Sequence, residues 1–181
     1  LWWINQFETE RAKHSYSNIE FGGYYWYNES MKSGDEVITT AVADAIHSRG
    51  SVFFWIPYFT ANGWTDWQKY GFDVACLQPN YAFNKAVPTE RLYENAAVTK
   101  QLGMCVEMEI GGFDAYHVEK FRNYMDCGAE TGYMDSVKMY YQGGMPGEFY
   151  RAYKCEDPGL HALYDELYLY CKEKYVSRKD R

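Results

Sequence analysis

The sequence predicts an α/β fold: the C-terminal portion of a TIM-type (β/α)8 barrel, with about five βα units that correspond to strands four to eight. Short apolar and aromatic runs alternate with helical patterns from about Phe21 onward, and glycines often close the helices. The runs are almost continuously apolar, which is typical of parallel strands covered on both faces. Polar side chains lie late in the runs, where the carboxyl edge of a parallel sheet collects binding groups.

Five runs are predicted as strands, and helical patterns follow them. The predicted strands span residues 21–27, 51–57, 72–80, 104–110 and 133–142. The predicted helices span residues 35–48, 64–70, 90–101, 114–127 and 160–175. A glycine-rich loop follows the last strand and contains Gly143, Gly144, Pro146 and Gly147. Strands that alternate with helices in this way pair in parallel through right-handed crossovers.

The chain is shorter than a complete barrel. It has 181 residues, whereas an eight-stranded barrel takes about 250. The segment 1–18 is predicted to be the end of a preceding helix followed by a loop. We therefore expect residues 1–181 to form a single domain, an incomplete barrel that lacks its N-terminal strands. An open five-stranded sheet is the alternative.

Composition narrows the possible partners. The formal net charge is −7 and the sequence pI is about 5.1, so nucleic acid is not an expected partner. No apolar run is long enough to span a membrane. Aromatic residues make up 19% of the chain, including 19 Tyr and 6 Trp. Such rings combine a flat apolar face with a polar group, which suits stacking against sugars. Oligomeric state cannot be predicted.

Cysteine and histidine patterns indicate neither a metal nor a cofactor. The five cysteines have no framework spacing and no CxxC pair, and the four histidines are scattered along the chain. No GxSxG, phosphate-binding loop or dinucleotide fingerprint is present. We expect no metal site and no cofactor.

Three carboxylates lie late in predicted strands. Asn28-Glu29 ends the first run, and Glu107 and Glu109 are two residues apart in the fourth, so these two point to one face. Two like charges on one face are costly unless they are paired or solvated. A structural ion pair is one interpretation. The other is a functional site in which Glu109 lies at the strand end and Glu107 one layer deeper.

Counting strands backward from the last helix sharpens the functional interpretation. If residues 133–142 are strand eight, then residues 104–110 are strand seven and residues 21–27 are strand four. The residues at the ends of strands four and seven resemble motifs of the large clan of retaining glycosidases on this fold. In that clan, a Glu that follows Asn at the end of strand four is the acid/base, and a Glu at the end of strand seven is the nucleophile. The resemblance implies Glu29 and Glu109 in these roles.

A second resemblance covers most of the chain. Its motifs are GYYWYNE at 23–29, FWIPY at 54–58 with Gly63-Trp64, GFD at 71–73, QPNY at 78–81, VEME at 106–109 and YYQG at 140–143. They are similar to the bacterial domain-of-unknown-function family numbered 4855. The resemblance implies a barrel, a carbohydrate context and a secreted or cell-surface location in a bacterium. Where that family has an Asp after the second Glu, this sequence has Gly111-Gly112.

Aromatic and amide residues near the strand ends complete the candidate site. Trp55 and Trp64 serve either packing or a sugar platform, and Gln78 and Asn80 share strand parity and are expected to face inward. Tyr81 and Tyr141 are candidates to orient the nucleophile. The expected substrate-binding residues are Asn28, Trp55, Tyr58, Trp64, Gln78, Asn80, Tyr81, Glu107, Tyr141 and Gln142.

These residues predict a retaining glycoside hydrolase with a carbohydrate substrate, in which Glu29 and Glu109 are catalytic. The first alternative is a non-catalytic carbohydrate-binding or surface barrel that uses the carboxylates as hydrogen-bond acceptors. The second is a polysaccharide-modifying enzyme, such as a lyase with a Tyr base, which needs a cation to neutralise a uronate. Only Lys85 and Arg91 lie near the expected site.

Overall fold

The computed structural model describes residues 1–143 and 147–181, so Gly144 and Pro146 of the predicted glycine-rich loop lie outside the described residues. The chain divides into two compact units, Leu1–Ala75 and Cys76–Arg181. The expectation that residues 1–181 are a single domain stays a prediction.

The first unit contains two parallel strands with helices between them and the start of a third strand. Its elements are α1 (Trp2–Arg11), β1 (Tyr24–Trp26), α2 (Asp35–His47), β2 (Phe53–Trp55), a 3₁₀ helix (Trp64–Tyr70) and the beginning of β3 (Val74–Leu77). Strand β1 pairs with β2 in parallel, and β2 pairs with the start of β3 through Phe54–Val74 and Trp55–Ala75. Helix α1 confirms the helix predicted before residue 18.

The second unit continues the pattern with longer elements. They are the end of β3, α3 (Glu90–Leu102), β4 (Cys105–Ile110), α4 (Ala115–Thr131), a 3₁₀ turn (Tyr133–Asp135), β5 (Lys138–Gln142), α5 (Glu148–Lys154) and α6 (Pro158–Cys171). Strands β3 and β4 are parallel, and so are β4 and β5. Five parallel strands that alternate with helices confirm an α/β fold consistent with part of a βα barrel.

The pleat of β4 separates a core face from a polar face. Val106, Met108 and Ile110 are buried in the hydrophobic core of the second unit. That core also contains residues of α4 and α6, namely Val118, Phe121, Tyr124, Met125, Leu163 and Tyr170. Because successive side chains of a strand point to opposite faces, Cys105, Glu107 and Glu109 lie on the other face.

Helix α4 extends further than the sequence indicates. The predicted end at Cys127 treats Gly128 as a helix stop, but the helix continues to Thr131 and ends at Gly132, whose φ of 92° is left-handed. A β-carbon at Gly128 would overlap the Tyr170 hydroxyl and lie 2.7 Å from Cε2 of Tyr133. Gly128 therefore serves close packing inside the helix.

Elements near the C-terminus also differ from the prediction. Strand β5 begins at Lys138, because Tyr133 to Asp135 form a 3₁₀ turn and the Tyr133 hydroxyl donates a hydrogen bond to the Tyr124 carbonyl. Helix α5 is not predicted. The Asp157 side chain accepts hydrogen bonds from the first backbone N–H groups of α6, which therefore begins at Pro158 and ends at Cys171.

Replacing Gly128 by Ala should lower the free energy of unfolding by about 1–3 kcal/mol, because the added methyl group overpacks the contact with Tyr133 and Tyr170. Denaturant titration of the purified chain measures this. The matched control is Gly143→Ala, where a β-carbon makes only ordinary contacts of 3.7 Å or longer. Equal stability of the two variants would contradict the packing role of Gly128.

Candidate functional site

Glu109 is the most deeply buried carboxylate on the polar face of β4. Its side chain is 1% exposed, and the Tyr124 hydroxyl donates a 2.6 Å hydrogen bond to Oε2. Burying a carboxylate is costly unless donors satisfy it, so this hydrogen bond offsets part of the cost. The donor comes from α4, which places one side chain of the core at the polar face.

Tyr124 stays protonated as a hydrogen-bond donor. Burial, the charge of Glu109 and the hydrogen bond to Glu109 raise the pKa of Tyr124 well above its usual value of 10.0. The position of the ring is also restrained, because the Tyr133 hydroxyl donates to the Tyr124 carbonyl. Tyr124 is therefore built to hold one orientation of the Glu109 carboxylate.

Tyr81 supports Tyr124. The Tyr81 ring packs edge-on against the Tyr124 ring with centroids 5.7 Å apart. Its hydroxyl oxygen accepts a 2.8 Å hydrogen bond from the Asn123 amide and lies 3.0 Å from the Thr89 hydroxyl. The sequence proposed Tyr81 as a direct partner of the nucleophile, but the hydroxyl on Glu109 belongs to Tyr124 and the Tyr81 hydroxyl bonds elsewhere.

A buried lysine shapes the segment that follows β3. Lys120 in α4 donates hydrogen bonds to the carbonyl oxygens of Tyr81 and Asn84, the latter at 2.9 Å. Its ammonium nitrogen also lies 4.0 Å from the centroid of the Tyr81 ring. Carbonyl dipoles and a ring face compensate the buried charge. Lys120 therefore fixes the loop that carries Phe83.

Two partly exposed rings lie beside this polar face. Phe83 and Tyr141 are 54% and 49% exposed, and their rings meet edge to face with centroids 5.6 Å apart. Tyr141 on β5 is the register neighbour of Glu109 on β4. Adjacent residues in register share a face, so the rings and the carboxylate belong to one surface.

The Gly111-Gly112 turn accommodates large neighbours. A β-carbon at Gly111 would lie 2.9 Å from Cδ1 of Phe83, and one at Gly112 would lie 3.0 Å from Nδ1 of His117. A side chain at either position would require the neighbouring ring to shift, so glycine suits both positions, where the family has an Asp after the second Glu.

The predicted amides occupy different environments. Gln78 is buried, whereas Asn80 is partly exposed and has a left-handed φ of 54°. Strand β3 ends at Leu77, so the alternation that predicted a shared inward face for both amides does not extend to Asn80. Gln142 is exposed, and its Oε1 accepts a 3.2 Å hydrogen bond from Phe149 N. This contact anchors the start of α5.

Glu107 lies two residues before Glu109 on β4. It is buried and is the register neighbour of Met139 on β5. Its charge contributes to a raised pKa of the Cys76 thiol, so the Glu107 carboxylate and Cys76 are near neighbours. By exposure, Glu107 at 7% is slightly less buried than Glu109 at 1%, so its deeper position in the site stays a prediction.

In the first unit, Asn28 and Glu29 are exposed residues after β1. The Trp55 indole donates a 2.7 Å hydrogen bond to the Asn28 carbonyl oxygen. Trp55 is fully buried and stacks on Phe72 with centroids 5.2 Å apart. Its ring is therefore a packing element that fixes the backbone before Glu29, and it offers no open face to a sugar.

Tyr58 and Trp64 are partly exposed in the same unit. The Trp64 ring stacks on Phe59 with centroids 5.9 Å apart.

The two cations considered for a uronate site lie in the second unit. Arg91 forms a 3.6 Å ion pair with Glu94 on α3, and the Lys85 ammonium lies over the Tyr116 ring.

Sequence reasoning missed three residues of the second unit that shape the Glu109 environment: Phe83, Lys120 and Tyr124. Tyr124 carries the only available hint, because it lies on the apolar stripe of α4 yet has a hydroxyl that needs a partner when buried. Phe83 lies in a loop, and a buried lysine such as Lys120 has no periodic signature.

The family model described as Domain of unknown function (DUF4855) matches residues 1–169. The chain belongs to this family. No curated protein matches the sequence. Within this DUF4855 chain, Glu29 and Glu109 both lie inside the matched region.

Two further findings concern the described residues of the DUF4855 chain. Among them, no group of three or more His, Cys, Asp or Glu side chains could hold a metal ion. In the same ranges, 1–143 and 147–181, every helix is too short or too polar to cross a membrane.

In the DUF4855 chain, Tyr124→Phe should lower the free energy of unfolding at neutral pH by about 1–3 kcal/mol, because it leaves a buried carboxylate without this donor. The matched control is Tyr93→Phe, which removes a 2.7 Å hydrogen bond to Glu130 in an exposed setting. We expect the control to cost less. Equal losses in denaturant titration would contradict a special role for Tyr124.

The stability difference between the parent chain and Tyr124→Phe should also depend on pH. The folded-state pKa of Tyr124 is raised above 10.0, so the unfolded chain releases the proton first and Tyr124 destabilises the fold as pH rises above about 10. Tyr124→Phe lacks this proton. The stability difference between the parent chain and Tyr124→Phe should therefore shrink above that pH, and a constant difference would contradict the assignment.

Proposed function

We propose that this DUF4855 chain is a retaining glycoside hydrolase of poly- or oligosaccharides, with Glu109 as nucleophile and Glu29 as general acid/base. The observation that carries the proposal is the Glu109 carboxylate at the end of β4, oriented by the Tyr124 hydroxyl and bordered by the exposed Phe83 and Tyr141 rings. A carboxylate beside aromatic surface at the end of a parallel strand is the arrangement that sugar chemistry uses.

Orientation of Glu109 supports the role of nucleophile. A nucleophilic carboxylate must be ionised, and a hydrogen bond donated to it favours the charged form. Tyr124 can donate but not compete for the proton, because its own pKa is raised. In the proposed mechanism, the carboxylate held in this way attacks the anomeric carbon, and a glycosyl-enzyme intermediate forms.

Phe83 and Tyr141 provide a sugar-binding surface. Their exposed rings offer apolar faces to the C–H groups of a pyranose. Glu107 and Gln78, which are buried in the same unit, are proposed to supply acceptor and amide groups for hydroxyls. Tyr58 and Trp64 in the first unit, which are partly exposed, are proposed as further substrate contacts.

Glu29 is proposed as the proton donor to the leaving-group oxygen. The Trp55 hydrogen bond fixes the Asn28 carbonyl and so restrains the backbone that carries Glu29. The assignment of Glu29 assumes that the five strands are strands four to eight of a TIM-type barrel. We also propose that the protein acts on a carbohydrate and is secreted or located at the surface of a bacterial cell.

The test is hydrolysis of a panel of polysaccharides and nitrophenyl glycosides by the purified chain and two variants. Glu109→Gln should lose activity on every substrate. Glu29→Gln should lose about 10²–10⁴-fold on polysaccharides but little on nitrophenyl glycosides, whose leaving group needs no protonation. Proton NMR of the first product should show retained anomeric configuration.

Glu156→Gln is the matched control, because Glu156 is an exposed carboxylate outside the proposed site. It should keep parental activity. Full activity of Glu29→Gln on polysaccharides, or of Glu109→Gln on any substrate, would eliminate the corresponding assignment.

One observation favours a second function, non-catalytic carbohydrate binding. Glu109 is only 1% exposed, and a nucleophile must reach its substrate. In a binding protein, the carboxylate would instead brace the surface formed by Phe83 and Tyr141. Glycan binding by the parent chain without hydrolysis of any substrate, lost in Phe83→Ala, would support this function over the enzyme.

A further inference from the structure

Two cysteines face each other on neighbouring strands of the second unit. Cys76 on β3 and Cys105 on β4 are direct register partners in a parallel pair. Partners in adjacent strands have side chains on the same face of the sheet, and strands lie about 4.8 Å apart. Disulfide-bonded cysteines usually have α-carbons about 4.4–6.8 Å apart, so this pairing lies within the accessible range.

Neither cysteine is in a disulfide bond, and each thiol shifts the pKa of the other, upward for Cys76 and downward for Cys105. Cys76 is fully buried, whereas Cys105 is partly exposed at the first position of β4. One thiol can therefore meet a reagent from solvent, and the other can react only with its neighbour.

We propose that Cys76 and Cys105 form a reversible disulfide bond by thiol–disulfide exchange with a small-molecule disulfide, of which oxidised glutathione is the probe. Cys105 is the attacking thiol and Cys76 the resolving thiol. This inference rests on the register of β3 and β4, which pairs the two cysteines, and it does not depend on the proposed glycosidase function.

The surroundings favour this order of events. The hydrogen bond from Cys76 and the charge of Lys138 lower the pKa of Cys105, against an opposing effect of partial burial. The hydrogen bond to Cys105 and burial raise the pKa of Cys76. The thiolate is the nucleophile in exchange, so the partly exposed cysteine reacts first.

The exchange balances in two steps. The Cys105 thiolate attacks one sulfur of oxidised glutathione, forms a mixed disulfide and releases one glutathione thiolate. The Cys76 thiol then gives its proton to the released thiolate and attacks the Cys105 sulfur, which expels the second glutathione. The protein loses two hydrogens and two molecules of reduced glutathione form.

The bond would form on the polar face of β4, at the start of the strand and two residues before Glu107. Cys105 shares a face with Glu107 and Glu109, and the Glu107 charge acts on Cys76. A covalent link between β3 and β4 at this level would fix β4, which carries Glu107, and the end of β3, which Gln78 follows directly. The thiol pair is therefore placed to make the rigidity of the polar face depend on redox conditions.

The test treats the folded full chain with oxidised glutathione, blocks remaining thiols with an alkylating reagent and maps the peptides by mass spectrometry. We expect a cross-linked peptide pair containing Cys76 and Cys105, two hydrogens lighter than its parts and reversed by dithiothreitol. Recovery of both cysteines as alkylated peptides, or a cross-link of either one to another cysteine, would overturn the proposal. This measurement needs no variant.

Variants test the order of attack. Cys76→Ser should stop at the mixed disulfide and carry one glutathione on Cys105, whereas Cys105→Ser should leave Cys76 unmodified. Cys171→Ser is the control, because Cys171 is exposed and lies away from the pair on α6; it should form the cross-link as the parent does. Glutathione on Cys76 in Cys105→Ser would contradict the assigned roles.

Discussion

The second unit is organised around a carboxylate that the fold buries almost completely. Glu109 loses its hydration on β4, and the hydrogen bond from Tyr124 offsets part of that cost. The donor must reach the polar face from a helix that packs on the opposite, apolar face. Strand β4 pairs with β3 only through Cys105 and Val106, so the edge of β4 beyond these residues is not held in that ladder.

Fixing the donor places demands on the helix that carries it. The Tyr133 hydroxyl caps the Tyr124 carbonyl, and Gly128 gives Tyr133 and Tyr170 the space to approach α4. Tyr81 packs against Tyr124, and Lys120 in turn holds the Tyr81 carbonyl. The lack of a side chain at Gly128, the 3₁₀ turn that carries Tyr133, and the buried Lys120 thus all contribute to the environment of the Tyr124–Glu109 hydrogen bond.

The sequence predicted the helices and strands that have a clear apolar periodicity. The bounds of α2, the 3₁₀ helix at Trp64 and α3 agree within a residue or two, because apolar spacing and terminal glycines are local signals. The strand-end positions of Glu29 and Glu109 follow from the same local rhythm. Gly128 led to a wrong helix end, because the sequence alone does not distinguish a glycine required for close packing from a glycine that ends a helix. The role of Trp55 could not be predicted, because only tertiary contacts distinguish a ring that binds sugar from a ring that packs in the core.

The residues that could not be predicted act across long sequence distances. Lys120 binds carbonyls 36 and 39 residues away, and Tyr124 lies 15 residues beyond the carboxylate it orients. No window of the sequence contains both partners, so periodicity cannot pair them. A buried lysine whose charge is met by backbone carbonyls also has no acidic partner to reveal it.

On the polar face of β4, almost completely buried carboxylates lie next to half-exposed rings. Cys76 is fully buried, Glu107 and Glu109 are nearly so, and Phe83 and Tyr141 are about half exposed. A ligand that approaches this face meets apolar ring surface first and charge only deeper. For the function proposed above, this order means that apolar contact would select the ligand and that the carboxylates would act on what the rings retain. Sugars meet both requirements, because their C–H faces bind rings and their hydroxyls bind carboxylates.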